Sequence, residues 1–148
     1  MTPRVLVERI LQAFRPGGKP AYRGQRGAGQ RWEALAAKHL RREGYKLRER
    51  NFRARAGEID LIAEEKGVLC FIEVKGRRGA GFGAPAEAVT LEKQRRIARA
   101  AEEYLAGKRL GSPRCRFDVV AILESESGTE VTILRDAFER PADPGRPR

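Results

Sequence analysis

The chain has 148 residues, enough for one domain with its own core, and 41% hydrophobic with 34% charged residues excludes a disordered polypeptide. No apolar run approaches the roughly 18 residues that span a bilayer, and Glu8 and Arg9 interrupt the N-terminal apolar stretch, so a cytoplasmic protein without a signal peptide or membrane partner is expected. Basic residues outnumber acidic ones 31 to 20, a net charge of +11, which attracts polyanions and points first to nucleic acid, with a solubility device or a membrane-surface preference as the alternatives.

Residues 4–14 predict a short amphipathic helix with Val7, Ile10, Leu11 and Phe14 on one face, followed by a basic Gly/Pro-rich linker over 15–30. This divides the chain into an N-terminal helix and linker (1–28), a folded domain (29–139) and a disordered tail (140–148). Within the domain, Trp32, Leu35, Ala36, His39 and Leu40 mark a helix over 30–43 that Gly44 stops, with His39 taken as core packing. "YKLRERNFRA" predicts an alternating strand at or near a sheet edge, and 57–65 and 68–75 predict two more. A Gly-rich loop over 76–89 follows, in which "GAGFGA" lacks nucleotide-binding spacing; without a Walker motif, no nucleotide cofactor is expected, and Phe82 is a candidate for stacking on a base. Thr90 caps a helix that Gly107 ends, and "CRFDVVAIL" and "EVTIL" complete an α/β fold with a mixed sheet of about five strands flanked by helices. Cys70 and Cys115 lack zinc-site spacing and are expected in the core, and Asp118 is expected to be structural, paired with Arg116 or a helix residue.

The chemistry concentrates in "GEIDLIAEEKGVLCFIEVKG", residues 57–76. If Lys66 and Gly67 form a two-residue turn, Glu65 faces Val68 and Asp60 faces Glu73, while Lys75 shares the sheet face of Glu73. Two carboxylates directly across a ladder lie roughly 5 Å apart and repel, a conflict that a divalent cation such as Mg²⁺ or Mn²⁺ removes. An ammonium beside that ion orients water or steadies charge developing on phosphorus, the parts needed to hydrolyse a phosphodiester. The plainer alternative is an ion pair of Lys75 with Glu73 or Glu58. Glu33 stands beside Leu40 at the margin of the first helix's apolar stripe, either as a solvated glutamate or leaning over the sheet as a further ligand. Arg77 and Arg78 directly follow the lysine, and Arg95, Arg96 and Arg99 cluster on the second helix opposite its apolar side; they are candidate phosphate contacts or, on the helix, a solvated face.

"GEIDLIA", "FIEVKGR", "FGAPAEAVTLEKQRRIARAAEEYL" and "CRFDVVAI" together resemble the YraN family, small bacterial proteins related to Holliday-junction resolvases and other PD-(D/E)XK nucleases. The likeness covers about residues 29–138 and implies a restriction-endonuclease-like core. It maps Asp60, Glu73 and Lys75 onto that superfamily's acidic and lysine motif positions and Glu33 onto a helix glutamate of resolvase-like members. Asp60, Glu73 and Glu33 then become metal ligands, and these three with Lys75 the catalytic set. The implied activity is Mg²⁺- or Mn²⁺-dependent endonuclease cleavage of DNA, branched DNA included, by a homodimer. The alternatives are a non-catalytic DNA- or RNA-binding module that keeps the nuclease fold, and an adaptor acting through residues 1–28.

Overall fold

The computed structural model describes residues 26–78 and 89–142. The expected helix over 4–14, the "GAGFGA" segment with Phe82 and the tail beyond residue 142 lie outside the described residues.

Helix α1 (Arg26–Arg42) begins earlier than the expected residue 30. It ends where Gly44 takes φ +93° and the Tyr45 N–H donates to the Leu40 carbonyl, a left-handed exit that glycine makes without strain. Five strands follow: β1 (Lys46–Arg53), β2 (Glu58–Glu65), β3 (Val68–Arg78), β4 (Cys115–Ser125) and β5 (Gly128–Phe138). They lie in the sheet in chain order, antiparallel except for the parallel β3/β4 pair. A parallel pair needs a crossover, and helix α2 (Leu91–Gly107) lies within it. Thr90 caps that helix, its Oγ1 accepting from the Lys93 N–H, and Gly107 is the last helical residue rather than the stop itself.

Each helix covers one sheet face. Ala36, Ala37 and Leu40 of α1 pack on Leu61, Cys70, Ile72, Val120 and Ile122; Ile97, Ala100, Ala101 and Tyr104 of α2 pack on Ile62, Phe71, Phe117 and Val119. This is a three-layer α/β fold with β3 covered on both sides and β1 at an edge, as the alternation of apolar residues implied.

Three expectations change. Strand β3 does not end at Lys75 but continues to Arg78, paired with β4 as far as Glu124. Gly76 makes this possible: the Trp32 ring lies on its backbone, and a Cβ there would sit 2.0 Å from a ring carbon. Cys115, at the first position of β4, is exposed, whereas Cys70 is buried as expected. His39 is half-buried and stands outside the buried clusters, because Ala37 takes the inward position instead.

Candidate functional site

The Lys66–Gly67 turn fixes the site. Both residues have positive φ, +50° and +79°, the backbone that a two-residue hairpin needs. The ladder therefore runs from Glu65↔Val68 to Leu61↔Ile72, in the register that brings Asp60 to Glu73. There the ladder ends. Asp60 Oδ2 accepts the Val74 N–H at 2.8 Å, so its carboxylate occupies a backbone donor of β3 just beyond the last paired residues. Strand alternation breaks at the same point, since Ile59 packs with Ile62 and Phe71 under α2 while Leu61 packs on the α1 side. On β1 the residue opposite Asp60 is Asn51, between the pairs Arg50↔Leu61 and Phe52↔Ile59, and it takes a left-handed φ of +52°. Asparagine tolerates that region better than other side-chain-bearing residues.

The electrostatics are unbalanced. Burial first, and then the charge of Glu73, push the Asp60 carboxyl well above the usual carboxylate range. The Val74 N–H opposes this only in part. Glu73 and Lys75 are both buried, with Lys75 Nζ 3.5 Å from Glu73 Oε1. Burial and a neighbouring ammonium, that of Lys93, hold Lys75 below the ordinary lysine value despite Glu73. Lys93 is the nearer cation: its Nζ lies 2.6 Å from the same Glu73 oxygen. Burial is the largest single influence on Lys93 and lowers its pKa, but the charge and hydrogen bond of Glu73, joined by Lys75 and Asp60, together outweigh it and the net shift is upward.

Glu33 leans from α1 toward this cluster. Burial raises its pKa; a hydrogen bond with Asn51 opposes that, and the charges of Glu58 and Glu73 raise it further. Glu33 in turn adds to the upward shift of Asp60. The fold thus brings together Glu33, Asp60, Glu73 and Lys75. Two members have no counterpart in the sequence reading: Lys93 and Asn51. Lys93 left a signal, since it sits on the buried stripe of α2 with Ile97, Ala100 and Tyr104 at helical spacing. Asn51 left none, because its role depends on the β1/β2 register, which shifts between Leu47 and Glu49.

The carboxyl of Asp60, pushed upward by burial and by the charge of Glu73, stands beside the Glu73 carboxylate, and two such acids are a donor set suited to a hard divalent cation. Yet among the described residues no group of three His, Cys, Asp or Glu side chains converges closely enough to hold a metal ion. In this arrangement Glu73 already faces an ammonium.

The candidate phosphate-binding arginines are divided. Alternation along β3 turns Arg77 and Arg78 to opposite faces. Arg78 Nε donates to Glu124 at 3.0 Å, and Glu124 also accepts from Arg31 and from Trp32 Nε1. Arg96 and Arg99 are exposed on α2, Arg96 bridging to Glu92 one turn back, while Arg95 is half-buried with its Nε donating to the Ala142 carbonyl.

A second buried polar cluster lies on the α1 side of the sheet. Asp118, fully buried, accepts from Tyr45 Oη, Arg116 Nε and the Asp136 N–H, each at 2.9 Å. Glu65 accepts from Arg135 at 2.7 and 2.8 Å and from Arg116 at 2.6 Å. The hydrogen bonds from Arg135, and after burial's opposing effect those from Arg116, hold the Glu65 carboxyl down at about 2. Asp118 thus has the Arg116 partner expected of it, within a larger network.

The described site lies inside a recognisable family. The model of the uncharacterised protein family UPF0102 matches residues 32–122, a span holding Glu33, Asp60, Glu73, Lys75 and Lys93. A UPF0102 protein of Symbiobacterium thermophilum is 51% identical over 116 residues, 76% of this chain and 97% of that protein. One from Syntrophotalea carbinolica is 47% identical over 110 residues, 74% of this chain and 89% of its own length. One from Chlorobaculum parvum is 54% identical over 97 residues, 64% and 74% of the two chains. With a family match over more than half of the chain and relatives aligned over most of their own length, this chain belongs to the UPF0102 family, the YraN family of the sequence resemblance.

Proposed function

We propose that the protein is a metal-dependent nuclease of PD-(D/E)XK type that binds DNA, branched DNA included, and hydrolyses its phosphodiester bonds. One observation carries the reading: half-buried Asp60 meets buried Glu73 where the β2/β3 ladder opens, the charge of Glu73 raising the Asp60 carboxyl, with the Lys75 ammonium alongside. Asp60 and Glu73 would hold Mg²⁺ or Mn²⁺, with Glu33 as the third ligand once it turns from Asn51. The ion, when bound, supplies charge stabilisation and an acidified water. The Val74 N–H holds one oxygen of the Asp60 carboxylate against β3, beside Glu73. Lys75, its pKa already depressed, holds or releases a proton at the attacking water and balances charge on the phosphoryl oxygens. Arg77, Arg78, Arg95, Arg96 and Arg99 would contact phosphates, on a chain of net charge +11. A homodimer would match the two strands cut at a junction.

A second reading has its own support. Glu73 is already neutralised by Lys93, and no three ligands converge among the described residues. A non-catalytic nucleic-acid-binding module of the same fold would look this way.

Incubation of labelled four-way junction, duplex and single-stranded DNA and RNA with wild type and Glu73→Ala in Mn²⁺ separates the two readings. Metal-dependent cleavage by wild type, lost at least about 100-fold in Glu73→Ala with binding retained, supports the enzyme. Salt-dependent binding with no cleavage of any substrate supports the module.

A further inference from the structure

We propose that Lys93 is the site's resident counter-cation: it neutralises Glu73 while no divalent ion is bound, and it must leave Glu73 for that ion to enter. The inference rests on the metal-dependent reading above and adds how the site is kept folded, and gated, without its ion.

The geometry distinguishes the two lysines. Lys93 Nζ is 2.6 Å from Glu73 Oε1, a direct charged hydrogen bond, while Lys75 Nζ stands 3.5 Å from the same oxygen. A divalent ion needs that oxygen at roughly 2.0–2.1 Å. An ammonium and the ion cannot share it. One of the partners must then move, and their surroundings decide which. The Glu73 side chain is 6% exposed, on the central strand of the sheet. The Lys93 side chain is 32% exposed, on a flexible four-carbon stem, and can swing into solvent.

Its backbone stays fixed meanwhile. Lys93 N–H donates to the Thr90 cap at 3.1 Å, in the first turn of α2. Released from Glu73, the ammonium therefore remains within one side-chain length of the site. That is the reach needed to take a phosphate oxygen of an incoming strand. An ion on the carboxylates and a phosphate on Lys93 favour one another, because each removes a competitor of the other.

Calorimetric titration of Mn²⁺ into the full chain, without nucleic acid, tests this with wild type, Lys93→Met and Glu73→Gln. Lys93→Met is expected to bind Mn²⁺ about tenfold more tightly, the competing charge being gone. Its metal-free melting temperature should fall, and Mn²⁺ should restore it. Glu73→Gln should bind no Mn²⁺. Lys93→Gln serves if the methionine variant does not fold. Unchanged or weaker Mn²⁺ affinity in the Lys93 variants, with Glu73→Gln still blocking binding, overturns the counter-cation role and leaves the metal site standing. No Mn²⁺ binding by wild type and the Lys93 variants alike overturns both.

Discussion

Two buried charge clusters share this small sheet, and they are built to opposite standards. Around Glu65 and Asp118, every carboxylate oxygen has a donor: Arg116, Arg135, Tyr45 and the Asp136 N–H. Around Asp60 and Glu73 the acids repel one another, and two lysines crowd one oxygen of Glu73. The first cluster lowers a carboxyl pKa and the second raises one. Buried charge is tolerated when geometry satisfies it, and strain that persists beside satisfied neighbours marks a place kept for something else. The difference teaches which acids hold the fold and which are held by it.

The largest expected contrast is in activity. Glu73→Ala should lower Mn²⁺-dependent DNA cleavage at least about 100-fold, measured on labelled junctions, while Glu65→Gln leaves the rate per folded molecule near wild type. In stability the order reverses. Glu65→Gln removes the partner of two arginines and should cost about 3 kcal/mol in urea unfolding.

Asp60→Asn should do the opposite. It keeps an acceptor for the Val74 N–H and removes a carboxyl that must take up a proton on folding at neutral pH, so stability there should rise by about 2 kcal/mol while cleavage is lost. A carboxyl raised in the folded state holds a proton that the unfolded chain has released. Wild-type stability from this group is thus present below about pH 4 and declines as pH rises above it, and Asp60→Asn should remove that decline.

Glu65 gives the converse profile. Its folded pKa is depressed to about 2, so its contribution is complete above the unfolded value near 4.5 and is lost as pH falls from there toward 2. Acid unfolding followed by circular dichroism should show this step in wild type and not in Glu65→Gln.

The smallest test concerns how the strained cluster is framed. Gly76→Ala drives a methyl into the Trp32 ring and should cost about 1–3 kcal/mol by overpacking, loosening α1 and with it Glu33. Thermal unfolding reads the cost. The Mn²⁺ affinity should weaken only slightly, because Asp60 and Glu73 belong to the hairpin.

Much of this arrangement is legible in the amino-acid sequence. The Lys66–Gly67 turn and the alternation in "VLCFIEV" fixed the β2/β3 register, since a slip of one residue would have turned the apolar set outward. The Asp60–Glu73 meeting followed from that register, and Thr90 announced the start of α2 by its side-chain oxygen. The stop at Gly44 followed from its freedom at positive φ. Arg77 and Arg78 stood out in the sequence as candidate phosphate contacts directly after Lys75, and strand alternation turns the two to opposite faces.

What sequence alone determined is therefore local: periods, caps, turns and the one hairpin whose pairing its own turn dictates. What tertiary structure decided is which distant side chains complete the charges. Lys93 reaches Glu73 because the crossover lays α2 over that face of the sheet, and Glu33 meets Asn51 because α1 crosses the opposite face within reach of edge strand β1. Gly76 belongs to a strand and not a loop because Trp32, far away in the chain, packs against it. A short-range pattern carries its own geometry, but a charge shows its partner only once the chain has folded over it.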